Sequence, residues 1–349
     1  MSKQVQTAIP QSDIAVKLTG VTKTYEQWQR TGQGKNILKN LIKPEKKIVK
    51  ALDNISFHVN TGEFVAYAGP NGAGKSTTMK LLCGMLVPGE GSIEVLGLSP
   101  QKQRIALMKR VGVLFGNRTE LWWDHPVTSS FEWKRVVWDI PTDEFKKMRD
   151  KVVELLDIGN FVNTFARELS LGQRMRADLA MMLLHQPELI LLDEPTLGLD
   201  VLAKRQMISF LKELNRELKT TIIVTSHDMD DLEEMAQRIL LISNGKITYD
   251  GGFDNLHNAA GGLCRVVLTM KDGIVPELAC GKLLSQSYGI CEYEVDIGKT
   301  PIRSVLSEIA AIEDVLDIEM RKSPIEEIIA GLYNSWNVNT ETSGTIDQE

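Results

Sequence analysis

Nine consecutive residues, Gly69, Pro70, Asn71, Gly72, Ala73, Gly74, Lys75, Ser76 and Thr77, have the types and spacing to hold a polyphosphate. Glycines let the chain curl until successive backbone N–H groups point inward, and a helix starting at the loop's end adds its positive pole. Lys75 then supplies a point charge to the β- and γ-phosphates, and Ser76 a hydroxyl to Mg²⁺. The apolar run Phe64 to Ala68 before the loop and the helix formers Ser76 to Leu82 after it give the strand, loop and helix order that this G-x-x-x-x-G-K-[ST] pattern requires.

A second set of acids and bases lies far along the chain. Leu189 to Leu192 form an apolar run that ends in Asp193 and Glu194. A buried strand of this kind carries an acid to the carboxyl edge of a parallel sheet. Asp193 is there to hold the metal, directly or through water, and Glu194 to orient and deprotonate an attacking water. Thr220 to Ser226 read as another buried strand, with His227 at its end in reach of a γ-phosphate. Ser170 stands at a helix N-cap position in Leu169-Ser-Leu-Gly-Gln173, and Gly172 lets a phosphate approach the backbone amides.

The elements that must position these residues are legible in the patterning. Strands are expected at Ile14–Tyr25, Ile55–Val59, Phe64–Ala68, Ile93–Leu96, Val111–Phe115, Leu189–Asp193, Thr220–Ser226, Ile239–Ile242 and Lys246–Tyr249. Helices are expected from Ser76 to Leu86, Gln101 to Arg110, Phe145 to a stop at Gly159, Arg174 to Leu184, Val201 to Leu218, and Met229 to Gln237.

In this order the motifs resemble the ATP-binding subunit of an ABC transporter across roughly residues 14–252. The resemblance makes Tyr25 the aromatic that stacks on adenine and Gly69–Thr77 the Walker A loop. Asn117 falls at the Q-loop glutamine, a metal- and nucleotide-contacting position. Leu169 to Gln173 match the signature motif, with Ser170, Gly172 and Gln173 on the nucleotide. Asp193 and Glu194 match Walker B and the catalytic base, Asp200 the D-loop, and His227 the switch histidine. Lys75, Glu194 and His227 are therefore the expected catalytic residues, and Ser76, Asn117 and Asp193 the expected metal set.

The implied fold is an α/β P-loop NTPase of ABC type, with an antiparallel β subdomain and a helical subdomain over about residues 118–184. ATP and Mg²⁺ are the implied ligands. Two such chains are expected to pair head-to-tail, so that Ser170 and Gly172 of one complete the γ-phosphate site of the other. Separate transmembrane permease subunits are expected at Asn117 to Asp124. Phe115-Gly-Asn-Arg-Thr-Glu-Leu-Trp-Trp-Asp124 and the variant signature look most like ABC-2-type exporter ATPases, relatives of daunorubicin-resistance subunits. Two positions depart from the common pattern. Leu171 replaces a glycine, and Asn117 is shorter than glutamine by one methylene, about 1.5 Å.

Composition sets the outer bounds. The 349 residues are 43% hydrophobic and 25% charged, ordinary for a globular chain, and no apolar run is long enough to span a bilayer. The opening Met1-Ser-Lys-Gln-Val-Gln-Thr7 lacks an apolar signal core, so the expected location is the cytoplasmic face of the membrane, through the permease. Cys83, Cys264, Cys280 and Cys291 are scattered and read as reduced packing residues. Net charge is −6, but residues 1–50 carry ten Lys or Arg against three acids, leaving −13 on the remainder and arguing against a nucleic-acid partner.

Residues 1–13 are expected to be flexible. The lysine-rich stretch 26–50 reads as an insertion, with Ile37, Leu38, Leu41 and Ile42 spaced either for a short basic amphipathic helix on an anionic membrane or for a solvated loop. The Trp122–Trp123 pair is expected at a partner surface, and Trp133 and Trp138 in the core. Residues 253–336 read as a small α+β accessory domain, with strands at Cys264–Met270, Ile290–Val295 and Val315–Met320 and helices at Ile302–Ile312 and Ile325–Tyr333. Residues 337–349 read as a disordered tail. Two other functions compete with transport: a soluble ABC ATPase acting on nucleic acid or the ribosome, and a nucleotide-binding regulator that barely hydrolyses.

Overall fold

The computed structural model describes residues 13–29, 45–116, 119–259, 262–271 and 275–322, with Ile325 and Ile329 as single positions. The chain divides into two compact units, Met1–Asp250 and Gly251–Glu349. The expectations for Ile37 to Ile42, Asn117, Arg118 and the tail lie outside the described residues.

The first unit is built on two sheets. Strands β1 (Ile14–Gln29), β2 (Glu45–Asn60) and β4 (Glu90–Val95) form an antiparallel sheet in the order β2-β1-β4. The other sheet has the order β5-β6-β7-β3-β8-β9: β3 (Phe64–Ala68), β5 (Val111–Phe115), β6 (Leu189–Asp193), β7 (Thr221–Thr225), β8 (Arg238–Ser243) and β9 (Lys246–Gly252). The pairs β3·β7, β3·β8, β5·β6 and β6·β7 are parallel. Buried on both faces, β3 and β7 read as continuous apolar runs rather than alternations. Asn244 and Gly245, both at positive φ, make the two-residue turn between β8 and β9.

This strand order positions the chemistry. Because β7 lies between β3 and β6, the loops leaving the carboxyl ends of all three open on one edge of the sheet. The phosphate loop runs from β3 into α1 (Lys75–Leu82), whose Met79, Leu81 and Leu82 are buried in a core shared with both sheets. Helix α2 (Arg104–Met108) precedes β5. Helices α3 (Val127–Val137), α4 (Thr142–Leu155) and α5 (Leu171–Leu183) form the helical part, and α6 (Val201–Leu218) and α7 (Met229–Met235) flank β7 in sequence.

Several expectations are corrected. Residues 26–29 and 45–50 are not loop but continuations of β1 and β2, paired from Glu26↔Ile48 to Gln29↔Glu45. No apolar alternation marks the stretch, since Glu26, Lys47, Ile48 and Lys50 are all exposed. Helix α4 ends at Leu155 and Asp157 takes the left-handed turn, so Gly159 is not the stop. Helix α1 likewise ends at Leu82, with Gly84 at positive φ, short of Leu86. Trp133 is not core: it is 36% exposed, its ring 5.7 Å from that of Trp122, which is 40% exposed.

In the second unit, β10 (Leu263–Met270), β11 (Gly281–Ser287), β12 (Ile290–Asp296) and β13 (Val315–Lys322) form an antiparallel sheet ordered β11-β12-β10-β13. Helix α8 (Phe253–Ala259) opens the unit. Val266, Leu268, Tyr293 and Val295 pack against Val305 and Ile309 of α9 (Ile302–Ala310). Strand β11 escaped the sequence reading because six of its seven residues are exposed on a sheet edge. The four cysteines are free thiols, as expected.

At the junction of β3 and the phosphate loop, a Cβ on Gly69 would lie 2.1 Å from the backbone oxygen of Ile242 on β8. Backbone on a central strand does not give way easily. Gly69→Ala is therefore expected to destabilise the first unit by about 2–3 kcal/mol, read by calorimetry as a thermal midpoint several degrees lower.

Candidate nucleotide site

The phosphate loop has the local shape its residues dictate. Gly72 and Gly74 sit at φ +80° and +118°, and a Cβ at Gly72 would meet nothing within 4 Å, so a ligand can approach the backbone there. Gly74 has no such room, since a Cβ would reach 2.6 Å from the Ala51 oxygen. Pro70, Asn71 and Gly72 are exposed, whereas Ala73 is buried and its carbonyl accepts from the Gly245 N–H at 3.1 Å. The hairpin turn between β8 and β9 thus props the loop from beneath.

Lys75 is buried against this loop. Its ammonium donates to the carbonyls of Gly69 at 2.5 Å and Pro70 at 3.2 Å. Burial lowers its pKa, and the nearby charges of Glu194 and Asp193 oppose that shift. Tyr25, on β1, has its hydroxyl 3.5 Å from Thr77 Oγ1, and the Lys23 ammonium lies 5.6 Å from its ring centroid.

A continuous chain of oxygens then crosses the sheet edge. Ser76 Oγ donates to Asp193 Oδ2 at 3.0 Å, and Thr225 Oγ1 donates to Asp193 Oδ1 at 2.7 Å. Thr225 Oγ1 also accepts from the Glu194 N–H at 3.1 Å, as does the Thr225 carbonyl at the same distance. Glu194 is held at φ 58°, a left-handed conformation that a side chain adopts at a cost of about 1 kcal/mol or more. The two bonds from its N–H fix that turn and bring Oε1 to 2.7 Å from His227 Nε2. The structure thus brings Lys75, Ser76, Asp193, Glu194 and His227 together on one edge.

The remaining expected residues lie elsewhere. Ser170 caps α5 in a reciprocal box with Gln173: its N–H donates to Gln173 Oε1 at 2.9 Å and its Oγ accepts from the Gln173 N–H at 3.3 Å. The neighbours of this segment are those of the Asp200 loop. A Cβ on Gly172 would meet Ala203 Cβ at 3.3 Å, and one on Gly198 would meet Leu171 Cδ2 at 3.2 Å. Asp200 caps α6, its Oδ1 accepting from the Ala203 N–H at 2.8 Å. Ser170 and Asp200 are exposed.

Two groups were missed from sequence. Thr225 is the pivot of the oxygen chain, and its signal was a hydroxyl at the last position of an apolar strand. Lys204 on α6 bridges Asp228 and Asp231, at 2.8 Å from Asp231 Oδ1, while Thr196 Oγ1 donates to Asp231 Oδ2 at 3.0 Å. That network ties the residue after His227 to the loop after Glu194. Chemically, the Ser76 hydroxyl and Asp193 carboxylate form a hard, all-oxygen pair that fits a small divalent cation.

Comparison with known proteins agrees with this geometry. The ABC transporter family model matches residues 52–197. The chain is 31% identical over 215 residues to the ABC transporter ATP-binding protein NatA of Bacillus subtilis, covering 62% of this chain and 87% of NatA. It is 27% identical over 298 residues to the bacitracin transport ATP-binding protein BcrA of Bacillus licheniformis, covering 83% and 94% of the two chains. A solved dimeric ATP-binding cassette in a post-hydrolysis state with ADP and Pi superposes with a TM-score of 0.56 at 26% identity, over 68% of this chain and 98% of that one. The chain belongs to the ABC transporter ATP-binding proteins. It is an ATP-binding ATPase whose hydrolysis serves transport.

Thr225→Val keeps the shape of the strand end but removes the donor to Asp193 and one acceptor for the Glu194 N–H. A hydrogen bond to a charged group is worth about 1.5–3 kcal/mol, so hydrolysis is expected to fall by roughly 10- to 100-fold. Equilibrium binding of a non-hydrolysable ATP analogue should change far less, which a fluorescence titration checks.

Proposed function

We propose that the chain is the motor subunit of an ABC exporter, working as a head-to-tail dimer on separate permease subunits at the cytoplasmic face of the membrane. The observation that carries this reading is the oxygen chain from Ser76 through Asp193, Thr225 and Glu194 to His227. Ser76 and Asp193 would hold Mg²⁺, which when bound neutralises phosphate charge. Lys75 exchanges its loop carbonyls for the β- and γ-phosphates, and Tyr25 offers its ring to adenine.

Hydrolysis then needs a base beside the γ-phosphate. A water oxygen attacks the γ-phosphorus, the bond to the β-bridging oxygen breaks, and the water's proton passes to Glu194. His227, with Nε2 protonated, donates to Glu194 and holds its carboxylate in place. Ser170, Gly172, Gln173 and Asp200 are exposed or half-buried on the face that a second subunit would cover, which supports their role in the partner's site.

The permease surface is assigned to the segment ending at Asp124. Trp122 and Trp123 are 40% and 49% exposed beside Trp133, an arrangement suited to burial by a partner. Residues 26–50, with seven Lys or Arg against Glu26 and Glu45, suit an anionic membrane surface. The acidic remainder of the chain speaks against nucleic acid. The export direction is supported by the resemblance of residues 115–124 and 169–173 to ABC-2-type exporters.

Glu194→Gln tests the reading. It is expected to lower ATPase activity by about 10²-fold or more while keeping ATP bound, and to shift the chain to dimer on size exclusion with ATP but not ADP. Equal hydrolysis by wild type and variant would remove Glu194 as the base. Co-purification with ribosomes or DNA, and never with membranes, would remove the transport assignment of the partners.

A further inference from the structure

A buried carboxylate outside the hydrolytic site joins the exposed tryptophans to the signature helix. Asp178 lies on α5, eight residues beyond Ser170, or about 12 Å along the helix axis. Its Oδ1 accepts from Thr119 Oγ1 at 2.9 Å and from the Glu120 N–H at 3.1 Å. Thr119 Oγ1 in turn accepts from the Leu121 N–H at 3.1 Å. Asp178 thereby holds Thr119 and Glu120 directly, and Leu121 through the Thr119 hydroxyl.

The same segment is held from α3. Lys134 is buried, donates to Glu120 Oε2 at 3.1 Å, and lies 4.4 Å from the Trp138 ring centroid. Ser130 Oγ accepts from the Trp122 N–H at 2.9 Å. A further link runs to the residues just before the signature: the Arg167 N–H donates to the Trp123 carbonyl at 3.1 Å, and its guanidinium to Asp124 at 2.6 Å. Arg174 of α5 faces the Trp123 ring at 5.6 Å.

An apolar residue at 178 would pack α5 without desolvating a charge, but it would take this acceptor from Thr119 Oγ1 and the Glu120 N–H and release the tryptophan segment from α5. Among the described contacts, Asp178 is the one side chain that grips the backbone of the tryptophan segment from within the helix that Ser170 caps. We propose that Asp178 is a positioning residue of the transport cycle, transmitting displacement between the Trp122–Trp123 platform and the Ser170 end of α5. This rests on the reading above, that the platform meets the permease and Ser170 meets a partner's nucleotide.

Hydrogen–deuterium exchange of the full chain measures the link without the permease. All variants carry Glu194→Gln to retain ATP, and peptides covering 119–123 and 169–174 are followed with and without ATP. With Asp178 intact, ATP is expected to slow exchange in both peptides. Asp178→Ala should leave the response at 169–174 but abolish it at 119–123, where basal exchange rises about 10-fold or more. Asp178→Asn, which keeps an oxygen for both donors, should restore the coupled response.

Thr119→Val removes one donor from the far side and leaves α5 untouched. It should weaken the response at 119–123, and the double variant with Asp178→Ala should be no worse than Asp178→Ala alone. A full response at 119–123 in both Asp178→Ala and Thr119→Val overturns the proposal, as does an asparagine variant that behaves like alanine. Absence of any ATP response at 169–174 with Asp178 intact overturns instead the two-subunit reading, and the proposal with it.

Discussion

The cluster of Ser76, Asp193, Thr225, Glu194 and His227 depends on β7 lying between β3 and β6. That adjacency places the hydroxyl of Thr225 where it donates to Asp193 and accepts from Glu194, two consecutive residues whose side chains must point to different tasks. Consecutive residues leaving a strand would ordinarily alternate in direction. Here the turn of Glu194 into left-handed backbone redirects its side chain to His227. The strain is local and is offset by two hydrogen bonds from one N–H, both to Thr225. Core, strand order and chemistry are therefore one constraint: without the continuous burial of β3, β6 and β7, no single residue could reach both acids.

Much of this was legible in the sequence because its causes are local. A glycine loop between an apolar strand and a helix, or two acids ending an apolar run, records backbone needs that few other residues satisfy. Residues 14–25, 64–68 and 189–193 formed the strands their patterns indicated. Thr225 was not legible, since a threonine at a strand end is ordinary unless its neighbours in space are known. Nor was the length of β1 and β2, whose ribbon beyond Tyr25 pairs by backbone bonds that do not depend on which side chains face solvent. Trp133 was misplaced for a related reason: large aromatic side chains serve cores and interfaces equally, and only packing separates the two.

The segment from Leu169 to Gln173 is satisfied within its own chain. Ser170 and Gln173 satisfy each other through the capping box, so the helix end is stable without a nucleotide. Leu171 meets Gly198 and Gly172 meets Ala203, so the signature and the Asp200 loop fit each other closely. A Cβ at 172 would come within 3.3 Å of Ala203 Cβ on α6, so a side chain larger than glycine there would press on that helix. Leucine at 171 is accommodated because Gly198, at φ +75°, leaves room for its methyl group.

The helical part carries two buried titratable groups whose shifts run in opposite senses. Burial raises the Asp178 carboxyl to about 6 against the hydrogen bonds from Thr119 and Glu120, and burial lowers the His185 imidazole to about 4, with the Lys134 charge adding to it. Above pH 6, holding Asp178 ionised opposes folding by about 3 kcal/mol, a penalty relieved as pH falls from 6 toward 3.8. His185 acts the other way: its neutral form is favoured in the fold, so stability is lost as pH falls from 6.5 through 4. Between pH 6 and 4 the two slopes oppose each other and largely cancel. Through these two groups, acidification from pH 6 to 4 therefore changes stability little, whereas loss of either alone would expose the slope of the other. At neutral pH His185 is uncharged in the folded and unfolded chain alike and offers no offset, so the cost of ionised Asp178 is set only against the hydrogen bonds it accepts from Thr119 Oγ1 and the Glu120 N–H.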